Sequence, residues 1–69
     1  MKYDFNISRP ELDRIIEDWI FDEKHRKIMK RRLLDSIKYE QIAEEFDLSS
    51  TQIKTIVKKN LSIIRKHTG

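Results

Sequence analysis

A chain of 69 residues has room for one small domain with a thin core, and 38% apolar residues suffice for helices buried on one face only. With no cysteine it can form neither a disulfide nor a thiolate metal site; one glycine and one proline leave little material for hairpins, and no run approaches the ~20 apolar residues that cross a bilayer. The net charge of +3 is unevenly spread: residues 1–23 carry three basic and seven acidic side chains, residues 24–69 twelve and five, which suits a polyanion partner for the basic body and a different contact for the acidic arm.

Apolar spacing and capping signals predict four helices and no strand. The first starts at Ser8, where Ser8 and Glu11 form an S-x-x-E box with Pro10 in the first turn. Leu12, Ile15, Ile16, Trp19 and Ile20 then repeat at the i, i+3, i+4, i+7, i+8 spacing of one helix face, opposite Asp13, Arg14, Glu17 and Asp18. Trp19 reads as a core side chain or, with the acidic helix, as a docking surface. Asp22 caps a second helix with Ile28, Met29 and Leu33 inward and Leu34 and Ile37 near its end, broken at Asp35-Ser36. Its basic run, Lys30-Arg31-Arg32 with Lys24, Arg26 and Lys27, fits either a phosphate-contacting patch or a solvated face.

A short third helix over Tyr39–Phe46 turns Tyr39, Ile42, Ala43 and Phe46 inward and Glu40, Glu44 and Glu45 outward. Asp47-Leu48-Ser49 is a tight connection. Ser49 and Gln52 make a second capping box, and Ile53, Ile56, Val57, Leu61 and Ile64 form the stripe of a fourth helix running to about Lys66, with His67-Thr68-Gly69 expected to fray.

The third and fourth helices form one unit. Ala43 permits a close crossing, Leu48 plugs the turn, and Ile53 and Ile56 pin the fourth helix to the third, as in a helix-turn-helix whose second helix enters the DNA major groove. The outward side of the fourth helix carries Ser50, Thr51, Gln52, Lys54, Thr55, Lys58 and Lys59 and no acid. Hydroxyls and amides suit base edges, lysines suit phosphates, and a helix N-terminus offers amides to a phosphate.

The strings Glu23-Lys24-His25-Arg26-Lys27-Ile28-Met29, Tyr39-Glu40-Gln41-Ile42-Ala43-Glu44-Glu45-Phe46-Asp47-Leu48-Ser49, Ile53-Lys54 and Leu61-Ser62-Ile63-Ile64-Arg65 resemble region 4 of bacterial RNA polymerase sigma factors over residues 21–66. The resemblance implies an all-α, tri-helical helix-turn-helix core over 23–67, with an additional N-terminal arm and helix over 1–22. It also implies that Ser50, Thr51 and Thr55 contact bases and Lys54 a phosphate. Ser49, Gln52, Lys58, Lys59 and Arg31 complete the expected phosphate contacts. Short hydroxyl residues stand at the reading positions where housekeeping sigma factors carry Arg, Glu and Gln, so the −35 preference does not carry over. Asn60 replaces a small apolar residue of the family, and Lys38 a helix-capping Ser.

A stand-alone region of this kind implies a cytoplasmic, bacterial or phage transcription regulator bound to double-stranded DNA. RNA polymerase or a second copy of the chain is an additional partner of the same reading, with Ile56, Asn60, Ile63 and His67 as a dimer seam. The alternative is a protein-interaction module that binds RNA polymerase or a sigma factor without reading DNA. The sequence contains no activated nucleophile, phosphate-cradling glycine loop or metal-ligand spacing around His25 or His67, so neither an enzyme nor a cofactor is expected, and no membrane partner.

Overall fold

The computed structural model describes residues 8–68. The expected arm before Ser8 and the terminal Gly69 lie outside the described residues. Four helices follow in order: α1 (Arg9–Trp19), α2 (Glu23–Leu33), α3 (Tyr39–Phe46) and α4 (Ser50–Thr68). No helix among the described residues is long and apolar enough to cross a membrane.

Each helix begins where local chemistry satisfies its first amides. Ser8 Oγ accepts from the Glu11 amide at 3.3 Å, with Pro10 in the first turn. Asp22 Oδ1 accepts from the His25 amide at 3.1 Å, and that bond holds the Asp22 carboxyl below its ordinary range. At α4 the box is reciprocal: the Gln52 amide donates to Ser49 Oγ at 3.1 Å, and the Ser49 amide to Gln52 Oε1 at 2.9 Å. The exception is α3, whose N-cap is Lys38 and has no side-chain cap.

The core is a single aliphatic cluster. Leu12, Ile16 and Ile20 meet Ile28 and Met29, Ile42 and Ala43, and Ile53, Val57, Leu61 and Ile64. Ile15, Leu33, Leu34, Ile37, Tyr39, Phe46, Leu48 and Ile56 pack around it, half-buried. Both α2 and α4 touch all the other helices, whereas α1 and α3 do not touch each other.

Asn60 is the buried polar residue of this core, at 3% exposure. Its Nδ2 donates to the Ile56 carbonyl at 2.8 Å and lies 3.4 Å from His25 Nδ1, so its amide is partnered within the chain. It therefore cannot serve in the dimer seam expected from the sequence, because its side chain faces α2 and not solvent.

Two more expectations change together. Trp19 is not a core side chain: it is 44% exposed. Its indole stacks on the His67 imidazole, with ring centroids 3.8 Å apart and planes at 10°. That contact joins the end of α1 to the last turn of α4, and α4 extends to Thr68, two residues past the end near Lys66 that the apolar stripe suggests.

Turn chemistry closes the ends of α2 and α3. Ser36 and Asp47 both have φ of 57°. At Asp47 the chain enters the left-handed region (ψ 44°), the Leu48 amide donates to the Ala43 carbonyl at 2.8 Å, and the Asp47 amide donates to the Glu44 carbonyl at 3.3 Å. This is a Schellman closure with Asp where glycine is commonest; aspartate tolerates the conformation better than other side chains with a Cβ. Three residues, Asp47-Leu48-Ser49, thus reverse the chain from α3 into α4, as the sequence predicts.

Asp47→Gly is expected to unfold at the same or higher urea concentration than the parent, and Asp47→Val to lose about 1–2 kcal/mol. Equal losses in both variants would assign the position to the carboxylate and not to the backbone conformation.

Candidate nucleic-acid interface

The stripe Ile53, Val57, Leu61 and Ile64 seats α4 on the body of the protein, and the remaining side of the helix faces out. Thr51, Gln52, Lys54, Thr55, Lys58 and Lys59 are exposed, and Ser50 is half-exposed at the first helical position. From Ser50 to Thr68 α4 contains five lysines and arginines and not one Asp or Glu. The three base-reading candidates, Ser50, Thr51 and Thr55, lie within its first two turns, with Lys54, Lys58 and Lys59 alongside.

Individual side chains are more committed than their residue types suggest. Ser49 Oγ and Gln52 Oε1 are both engaged in the capping box. The box satisfies the Gln52 amide and leaves those of Ser50 and Thr51 at the open helix end, where the macrodipole favours an anion. The Thr55 hydroxyl donates back to the Thr51 carbonyl at 3.0 Å. Lys54 Nζ stands 5.8 Å from the centre of the Tyr39 ring, and the Arg32 guanidinium 4.2 Å from it. Tyr39 thus positions a cation of α4 from the start of α3.

The basic run of α2 does different work. The Arg31 guanidinium grips Glu45 through two bonds, Nε to Oε1 at 2.9 Å and Nη2 to Oε2 at 2.6 Å, and reaches Asp35 at 3.5 Å. Lys30 pairs with Asp13 at 3.1 Å and more closely with Glu17. Arg26 Nη1 donates to the Ile20 carbonyl at 3.0 Å and to that of Phe21 at 3.3 Å, and Arg32 Nη1 to the Ile37 carbonyl at 3.0 Å. The structure places Arg31, expected as a phosphate contact, in a carboxylate fork joining α2 to α3, because Glu45 projects from α3 directly opposite. That pairing lay beyond sequence reasoning: residues 14 apart on different helices have no periodic relation.

The fork has electrostatic consequences at both ends. The hydrogen bonds from Arg31 hold the Glu45 carboxyl below its ordinary range, and Glu45 in turn raises the Arg31 guanidinium. Glu17, with Asp13 behind it, raises Lys30.

A second exposed feature was only half signalled by the sequence. Phe21, in the link between α1 and α2, is 80% exposed beside the partly exposed Trp19. Asp18, Asp22 and Glu23 lie next to them in the chain and are exposed as well. Phe21 falls outside the helical stripe, so periodicity gave no reason to single it out.

Among the described residues no group of three His, Cys, Asp or Glu is placed to hold a metal ion. No protein-family model, curated protein or solved structure matches the chain.

Because the folded-state pKa of Glu45 is depressed, the fork adds stability above the unfolded carboxylate range, about 4.3, and loses it as pH falls through the lower folded value. At low ionic strength, the Tm of Glu45→Gln is therefore expected to fall less than that of the parent between pH 6 and pH 3, with the difference shrinking in 1 M salt. A parent–variant gap that is the same at both pH values would remove the ion pair from the account.

Proposed function

We propose that this chain is a DNA-binding transcription regulator in which α3, the Asp47-Leu48-Ser49 turn and α4 act as a helix-turn-helix, with α4 as the helix that enters the major groove of double-stranded DNA. One observation carries the reading: a 19-residue helix with five cations and no carboxylate begins at a tight three-residue turn and presents its polar side outward. A major groove is wide enough for such a helix, and its phosphate walls favour a surface of cations without carboxylates. The resemblance to sigma region 4 points the same way, with residues 23–67 as the binding core. The roles follow from placement. Thr51 and Thr55, with Ser50, face base edges. Lys54, Lys58 and Lys59 neutralise phosphates, and the open amides of Ser50 and Thr51 add an anion site at the helix end.

Selection from random duplexes at near-physiological salt is expected to enrich a defined element. Lys54→Ala should weaken binding to all sequences alike and lower the slope of log affinity against log salt by about 1. Thr51→Ala should instead cost about 1–3 kcal/mol on the selected element and relax preference at one position. Parent-like binding by both variants would remove α4 from the interface.

A second reading has its own support, the aromatic pair Trp19 and Phe21 bordered by Asp18, Asp22 and Glu23. Apolar aromatics rimmed by acids suit a basic protein surface, such as one on RNA polymerase. Under this reading the chain co-purifies with polymerase after nuclease treatment and Phe21→Ser abolishes the association; absence of co-purification would eliminate it.

A further inference from the structure

Leu48, Thr51, Gln52, Thr55 and Ile56 line a shallow cleft of about 280 Å³ on the outer side of the turn and α4. Two of its side-chain polar groups, Gln52 Oε1 and the Thr55 hydroxyl, are already engaged. The Thr55 hydroxyl proton goes to the Thr51 carbonyl, so it cannot be donated to N7 of a purine or O4 of thymine. Gln52 Oε1 accepts from the Ser49 amide, which holds its side chain against the start of α4. What the cleft offers a partner is chiefly hydrocarbon: Leu48 and Ile56, both half-buried, and the threonine methyls.

We infer that this cleft is a subsite for the 5-methyl group of thymine, so that α4 reads T by apolar contact instead of by hydroxyl hydrogen bonds. The inference rests on the DNA-binding reading above and specifies what its reading positions recognise. Of the four bases, thymine alone brings an apolar substituent to the major-groove edge. An apolar cleft has no complementary group on guanine, adenine or cytosine, and it leaves their donors and acceptors unpaired. The setting selects nucleic acid over an apolar peptide: Lys54, Lys58 and Lys59 are exposed on the same helix, which carries no carboxylate, and Thr51 and Gln52 of the cleft belong to its first turn. Thr55 is the residue on which discrimination depends, because its internal hydrogen bond fixes its rotamer.

The test compares the selected duplex with the same duplex carrying deoxyuridine for thymidine, a change that removes the methyl groups and nothing else. Parent protein is expected to bind about four-fold more weakly for each methyl seated, the ratio equivalent to one buried methylene. Thr55→Ser keeps the hydroxyl bond and loses the methyl, and should bind both duplexes more nearly alike. Thr55→Val keeps the methyl and should retain the preference. Equal affinity of the parent for the two duplexes, with Lys54→Ala still weaker on both, would overturn the methyl subsite and leave DNA binding standing. Failure to bind any duplex would overturn both and leave the cleft a surface for a protein side chain.

Discussion

Burial of one stripe on α4 is the constraint on which the rest of the molecule depends. Ile53, Val57, Leu61 and Ile64 lie at helical spacing, and α1, α2 and α3 all converge on that helix. Once the stripe faces in, the rotation of α4 about its axis is set and Lys54, Thr55, Lys58 and Lys59 must face out. Asn60 sharpens this. Placed inside, it donates to the Ile56 carbonyl within α4 and lies beside His25 of α2, and a rotation of α4 would break the contact with His25 and bring the polar amide out of the place built for it.

Where α4 starts is set by a second constraint, the left-handed residue Asp47. The closure through Ala43, Glu44 and Leu48 ends α3 abruptly, and the Ser49–Gln52 box begins α4 without slack. Core, turn and cap agree on one placement, and agreement between levels is what makes a small sequence specify one structure. The uncapped N-terminus of α3 at Lys38 is the weak point, compensated by packing around Tyr39.

Charge is divided by task. Four of the six cations of α2 look outward in sequence but hold the molecule together: Arg31 to α3, Lys30 to α1, Arg26 to the link before α2 and Arg32 to the link after it. The cations of α4 have no carboxylate on their own helix. The +7 of residues 24–69 thus overstates the charge α2 presents and understates how strongly α4 is singled out. At the other end, the Trp19–His67 stack and exposed Phe21 leave the acidic α1 with aromatic surface.

The sequence alone determined the four helices, their caps, the three-residue turn and most of the core, because those follow from rules spanning three to seven residues: capping boxes, apolar periodicity and the restricted backbone of turns. It also singled out the outward residues of α4, since that surface is the complement of its apolar stripe. Tertiary structure decided what these rules cannot reach. Arg31 meets Glu45 and Trp19 meets His67 only because separate helices bring them together. Asn60 turned inward where a seam residue was expected, and the hydrogen bond of Thr55 to the Thr51 carbonyl removed a donor that its residue type had promised. Local spacing specifies which face a residue lies on; only packing between distant segments specifies which of its atoms are still free to meet a partner.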